Sequence, residues 1–149
     1  MNINEGLQAK GELTIIHRAE DGTVKNALHV PNLVVTTGKT YIAARMQATS
    51  IPNVMSHMAI GIGSATPVAG DSQLGSESGR VALASQSASG GTVTYTATFP
   101  AGTGTGAIQE AGIFNGAGTG TTMLCRTTFP TVTKQSGDSI AITWVVTVS

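Results

Sequence analysis

The 149-residue chain carries 8 Lys+Arg and 8 Asp+Glu, no net formal charge, and only 11% charged residues, against about 25% in an ordinary globular domain. Its length and 40% hydrophobic content allow one globular domain whose core needs no metal or disulfide staple. The scattered bases exclude a nucleic-acid footprint, the single Cys125 excludes an intrachain disulfide, and no apolar run nears the roughly 20 residues of a membrane span.

Residues 1–9 read as an N-terminal arm, and "MNINEGLQAKGEL" lacks the apolar stretch of a signal peptide. Residues 10–149 read as one β domain. "KGELTIIHRAEDGTVKNALHV" predicts a hairpin with Asp21-Gly22 as a two-residue turn. That turn sets Leu13 opposite Val30, Ile15 opposite Leu28 and His17 opposite Asn26. One face then collects Leu13, Ile15, Ala19, Val24, Leu28 and Val30. The other collects Thr14, Arg18, Glu20, Thr23, Lys25 and His29, with Ile16 as the exception.

"TTGKTYIAARMQATS" is the one predicted helix, capped by Thr36 or Thr37. Strand periodicity then returns in "VMSHMAIGI", "RVALASQSA", "TVTYTATF", "AIQEAGIFN", "TTMLCRTTF" and "SIAITWVVTVS". Val93, Tyr95, Ala97 and Phe99 point inward, as do Ile140, Ile142, Trp144, Val146 and Val148. About eight strands with turns between them and one short helix predict an all-β, two-sheet antiparallel sandwich, jelly-roll-like. There are too few helices for α/β crossovers.

The sequence contains no recognisable reactive set. Gly38-Lys39-Thr40 ends like a phosphate loop, but Leu33 stands where its first Gly belongs. Gly61-x-Gly63 runs into Pro67 rather than a helix, so the dinucleotide fingerprint fails. "GSESG" has the glycine spacing of a nucleophile elbow with Glu77 in the serine position. His17 and His29 fall on opposite faces of the hairpin and His57 has no partner at ligand spacing, so no metal and no cofactor is expected. Cys125, within an apolar alternation, reads as a small buried hydrophobe. Nothing in the sequence joins Asp71 to Glu110 as a carboxylate pair. Glu110, mid-strand, calls for a surface position or an ion pair with Arg80 or Arg126, which is more often structural than catalytic. The long segment between "MAIGI" and "RVAL" therefore reads as a contact loop rather than an active-site lid.

Four stretches carry a resemblance. They are "NLVVTTGKTYIAARM", "SHMAIGIGSATPVAGDSQLGSE", "VTYTATFPAGTGTGAIQEAGIFN" and "MLCRTTFPTVTKQSGDSIAITW". In this order and spacing, over roughly residues 28–146, the chain resembles a module of tailed-phage structural proteins. The resemblance implies a β-sandwich without catalytic residues, hence no enzyme. It is found in capsid cement (decoration) proteins and in tail-fibre or tail-associated proteins. The expectation is a virion protein, made in the host cytoplasm, that binds the major capsid protein and stabilises the shell. The short chain, with no shaft or receptor-binding tip, favours cement over a tail protein. A small carbohydrate-binding sandwich is a further alternative, disfavoured by the 4% aromatic content. Candidate contacts with the major capsid protein or a sister copy in a homo-oligomer are Met1, Asn2, Ile3, Asn4 and Glu5 in the arm. Pro67, Asp71 and Leu74 are the candidates in the loop. No nucleic-acid or membrane partner is expected.

Overall fold

The computed structural model describes residues 6–47 and 49–149; the candidate contacts Met1 to Glu5 lie outside the described residues. Nine strands and one helix follow in the order β1 (Ala9–Arg18), β2 (Val24–Val34), α1 (Thr36–Ala44), β3 (His57–Gly61), β4 (Glu77–Ala82), β5 (Ser85–Ser89), β6 (Thr92–Phe99), β7 (Gly106–Phe114), β8 (Met123–Lys134) and β9 (Ser139–Val148). All pairings are antiparallel.

The β1–β2 hairpin has the predicted register, with Leu13, Ile15 and His17 opposite Val30, Leu28 and Asn26. Its turn is different. Ala19 N–H donates to the Thr23 carbonyl (2.8 Å), so the loop is Glu20-Asp21-Gly22, with Gly22 at φ +88°. A three-residue turn ending in a left-handed glycine matches strand twist as well as the expected two-residue turn does. The extra residue is absorbed by a bulge that sets Arg18 opposite Val24 and leaves Lys25 unpaired. Val24, expected inward, is therefore 52% exposed.

The expected two sheets are joined into one nine-stranded sheet, in the order β4-β3-β7-β8-β2-β1-β9-β6-β5, curled into a half-barrel. Two chain segments explain the continuity. β2 pairs with β1 up to Asn32, and its last residues, Leu33 and Val34, pair with Arg126 and Cys125 of β8. The segment "RVALASQSA" is two strands rather than one. β4 lies beside β3, β5 lies beside β6, and only Leu83 and Ala84 separate them. Consecutive strands thus form opposite ends of the sheet, which requires it to curl.

The inner face is one core. Leu13 and Ile15 of β1, Tyr95, Ala97 and Phe99 of β6, and Ile140, Ile142, Trp144 and Val146 of β9 meet Met58, Ile60, Ile113, Cys125 and Val132 from the other half. β9 lies between β1 and β6. Trp144 is fully buried, and its indole N–H donates to Asn32 Oδ1 at 2.9 Å. Gly11 leaves the space for that amide: a Cβ there would overlap the Asn32 side chain. Burial pushes the Cys125 thiol well above its ordinary pKa, which keeps it protonated and inert.

The half of the sheet around β3, β7 and β8 is buried on its outer face as well. Val35, Ala59, Leu74, Phe114 and Met123 form a second cluster there. Two-sided burial suits the short apolar runs Met58-Ala59-Ile60 of β3 and Ala111–Phe114 of β7. α1 lies against β8, where a Cβ on Gly38 would overlap the Leu124 carbonyl. The expected threonine cap is absent. Val35 is the N-cap residue, and Thr37 instead donates its hydroxyl to the Met123 carbonyl at 2.9 Å.

Candidate functional site: a buried ion-pair node beneath a covering loop

Strand alternation sets Gly112 of β7 opposite Arg126 of β8, with Glu110 two residues along on the same side of β7. Both charged side chains are buried: Glu110 is 0% and Arg126 2% exposed. Glu110 Oε2 accepts from Arg126 Nε (3.1 Å) and Nη2 (2.9 Å), and also from Gly75 N–H (2.8 Å). Its Oε1 accepts from Gly63 N–H (2.9 Å) and Ser76 N–H (2.7 Å). Arg126 Nη1 reaches Asp71 Oδ2 at 3.0 Å, and the same oxygen accepts from Val68 N–H at 3.0 Å.

Five donors on one carboxylate make a fully satisfied buried charge, the condition under which such a group is tolerated. Four of the seven N–H donors that bond Glu110 or Asp71 are backbone amides of the 62–76 segment. The node therefore fastens that loop over the outer face of β3, β7 and β8. The glycines of "GIG" fit this role. A Cβ on Gly61 or Gly63 would run into Glu110 Oε1. The segment does cradle an anion with main-chain N–H groups, as its glycine pattern invites one to ask, but the anion is the protein's own glutamate.

Of the two arginines considered for Glu110, Arg126 is the partner. Arg80 pairs instead with both oxygens of Glu77 (3.0 and 2.7 Å) and donates to the Gly116 and Gly118 carbonyls (2.9 and 3.1 Å). Its guanidinium lies 3.8 Å from the Phe114 ring centroid. The absence of any link between Asp71 and Glu110 is corrected: Arg126 bridges them. Sequence spacing hides this because 39 positions separate the two acids and the loop must fold back before Asp71 reaches the arginine. Leu74, a candidate contact, is only 5% exposed and packs toward Gly112 in the outer cluster. Asp71 is half-buried with its carboxylate engaged, and Pro67 is half-buried beside the exposed Val68. The loop's large outward apolar groups are Val68 and Ile62, 56% and 47% exposed, and nothing in their sequence spacing marks them out.

A second node sits at the hairpin end. Asp138 Oδ2 accepts from His17 Nε2 (2.8 Å), Lys25 Nζ (2.9 Å) and Gln135 N–H (2.9 Å). Asn26 Nδ2 lies 3.2 Å from His17 Nδ1, the cross-hairpin contact expected for this histidine. With Nε2–H donating to the carboxylate, Nδ1 is the acceptor for Asn26. Lys25 was expected on the face away from His17. The bulge turns it to the same aspartate, a re-aiming that bulges commonly produce. The Gln135 amide, then Lys25, then His17 hold the Asp138 carboxyl well below the ordinary value of 3.8. A depressed native pKa contributes stability that is fully present above the unfolded value and is lost as pH falls through the native one. The melting temperature of the wild-type protein is thus expected to drop as pH falls below about 4. Asp138→Asn starts lower and shows a shallower acid drop, so the two curves converge; parallel curves from pH 6 to pH 2 in thermal melts would refute the assignment.

His29 lies away from this node, 3.1 Å from Thr14 Oγ1 and 3.3 Å from Glu12 Oε2, and His57 bonds the Ser56 hydroxyl at 2.8 Å. No cluster of three or more His, Cys, Asp or Glu suited to a metal occurs among the described residues. Lys134 is buried with its ammonium on the Pro100 carbonyl (2.9 Å), and desolvation lowers its pKa. A cleft of about 630 Å³ opens between residues 72–77 and 117–121, with Arg80 and Phe114 in its wall. Arg80 is already engaged by Glu77 and two carbonyls. What the arrangement does chemically is hold a loop in place.

The chain matches no family model, no curated protein and no solved structure. No helix among the described residues is long and apolar enough to cross a membrane.

Proposed function

We propose that this chain is a structural protein of a phage virion, a cement protein that binds the major capsid protein and stabilises the shell. The observation that carries this reading is the 62–76 loop, fastened by Glu110, Arg126 and Asp71, with Ile62 and Val68 left exposed on it. A loop whose ordering is already complete in the free protein loses little entropy on docking, and exposed apolar side chains on it supply area to bury. The buried charged groups support the same reading, since their bonds run to one another and to loops and turns. The two halves of the curled sheet face each other across one core, which supports the two-layer, sandwich-like construction that the phage resemblance implies. Pro67, beside Val68, stays a candidate capsid contact. Asp71 and Leu74 act from beneath, holding the contact surface in shape.

Gold-labelled antibody against the protein, applied to virions that carry it and viewed in negative stain, tests the reading. Label spread over the shell is expected. Label confined to the tail or its tip replaces the capsid with tail proteins as partners.

A further inference from the structure

We propose that strand β5 is a self-complementary edge through which two copies of this chain pair antiparallel about a two-fold axis at Ser87. The inference goes beyond the capsid reading and stands on the backbone of β5 alone.

β5 is one end of the sheet and pairs only with β6. The direction of its main-chain groups follows from the neighbouring ladder. Gly91 C=O accepts from Val148 N–H at 2.8 Å, so Gly91 faces β9. Facing alternates along an antiparallel strand, so Thr92, Thr94 and Thr96 face β5. Their partners Ser89, Ser87 and Ser85 face back. Gln86 and Ala88 therefore turn their N–H and C=O groups outward, away from the sheet. Among the described residues neither takes a main-chain partner beyond the ladder.

Free edges are ordinarily guarded by charge, proline, a bulge or cover. The opposite edge, β4, carries Glu77 and Arg80 and pairs with β3 through a register shift at Gly61. β5 has none of these devices. Its sequence is Ser-Gln-Ser-Ala-Ser, all five residues are exposed, and its pairing with β6 is regular. No charged residue occurs between Arg80 and Glu110, so no like charges oppose a second copy across this edge. The net formal charge of zero removes long-range repulsion as well.

The register follows from the outward groups. Gln86 must face Ala88 of the second copy, and Ala88 must face its Gln86. That places Ser87 against Ser87 on the axis and Ser85 against Ser89. Both outward residues then exchange N–H and C=O with the second copy, and the interface is isologous, as a two-fold requires. The occupant is a second copy because the same short, uncharged edge satisfies itself in one register with every outward group used. A short polar edge gives a weak dimer, and arraying copies on a surface would strengthen it by raising the effective concentration.

The test uses the full chain with one added thiol. Cys125 is buried and does not compete. At the Ser87 pair the Cα atoms would lie about 4.5 Å apart, within disulfide reach. Ser87→Cys is therefore expected to give a covalent dimer under mild oxidation, whereas Ser89→Cys, which faces Ser85 of the second copy, gives little. In sedimentation velocity the wild-type mass rises from 15.1 kDa with concentration. Ser87→Lys, which sets two ammonium groups against each other, and Ala88→Pro, which removes only an outward N–H, stay at the monomer mass. Equal cross-linking at both thiol positions overturns the proposal. A wild-type protein that stays monomeric and a Ser87→Cys variant that does not cross-link overturn it too, leaving the edge to another protein's strand or to solvent.

Discussion

Glu110→Ala is expected to destabilise the protein by about 3–5 kcal/mol and to open the 62–76 loop to proteases. The substitution removes the acceptor of five hydrogen bonds at once. Three of the donors are main-chain N–H groups of Gly63, Gly75 and Ser76, and two belong to Arg126, which is left buried with Asp71 as its one remaining ion-pair partner among the described residues. A buried charge that loses its partner costs far more than the intact pair contributes relative to an apolar replacement. Against a typical domain stability of about 5–15 kcal/mol, this is a large share. Urea unfolding gives the magnitude, and limited proteolysis of the native protein locates the first cut. Glu110→Gln keeps the shape and a carbonyl acceptor, so a smaller loss is expected. Alanine unfolding within 1 kcal/mol of wild type, with the loop still uncut, would sink the idea that this node fastens the loop.

Gly38→Ala should lower stability by about 3 kcal/mol, the upper part of the range for overpacking a closed site. Propensity alone has the opposite sign: alanine is better than glycine inside a helix by about 1 kcal/mol. Position 38 is the third residue of α1 and the only buried one in it. An added Cβ overlaps the Leu124 carbonyl of β8, which is main chain and cannot swing aside. The helix would have to lift, breaking the bond from Thr37 to the Met123 carbonyl and loosening the cover over Val35 and Met123. Thermal unfolding decides between the two signs. A higher melting temperature in the variant would mean that α1 is not pressed against β8.

Local alternation made much of this molecule legible from the sequence. The β1–β2 register, the inward Tyr95, Ala97 and Phe99, and the inward Ile140, Ile142, Trp144 and Val146 all follow from a side-chain period of two, which needs no knowledge of neighbours. Glu110 stands out because a charge in the middle of an apolar strand demands a partner, and Arg126 is one of its two expected partners.

Other features depend on what meets in space. One residue added to the hairpin loop set the bulge that sends Lys25 to Asp138 beside His17. The break at Leu83 and Ala84 is two residues long and carries no strong turn signal, yet it sends β4 and β5 to opposite ends of one sheet. Gly38 and Gly63 read as motif fragments in the chain and act as clearances in the fold.

The sequence by itself determined an all-β, charge-poor chain, because periodicity and composition act residue by residue. Only the tertiary structure decided that the sheet is a single curled one and that Asp71, Glu110 and Arg126 form one node. Closure and ion pairing depend on distances between segments remote in the chain, and no local preference encodes those distances.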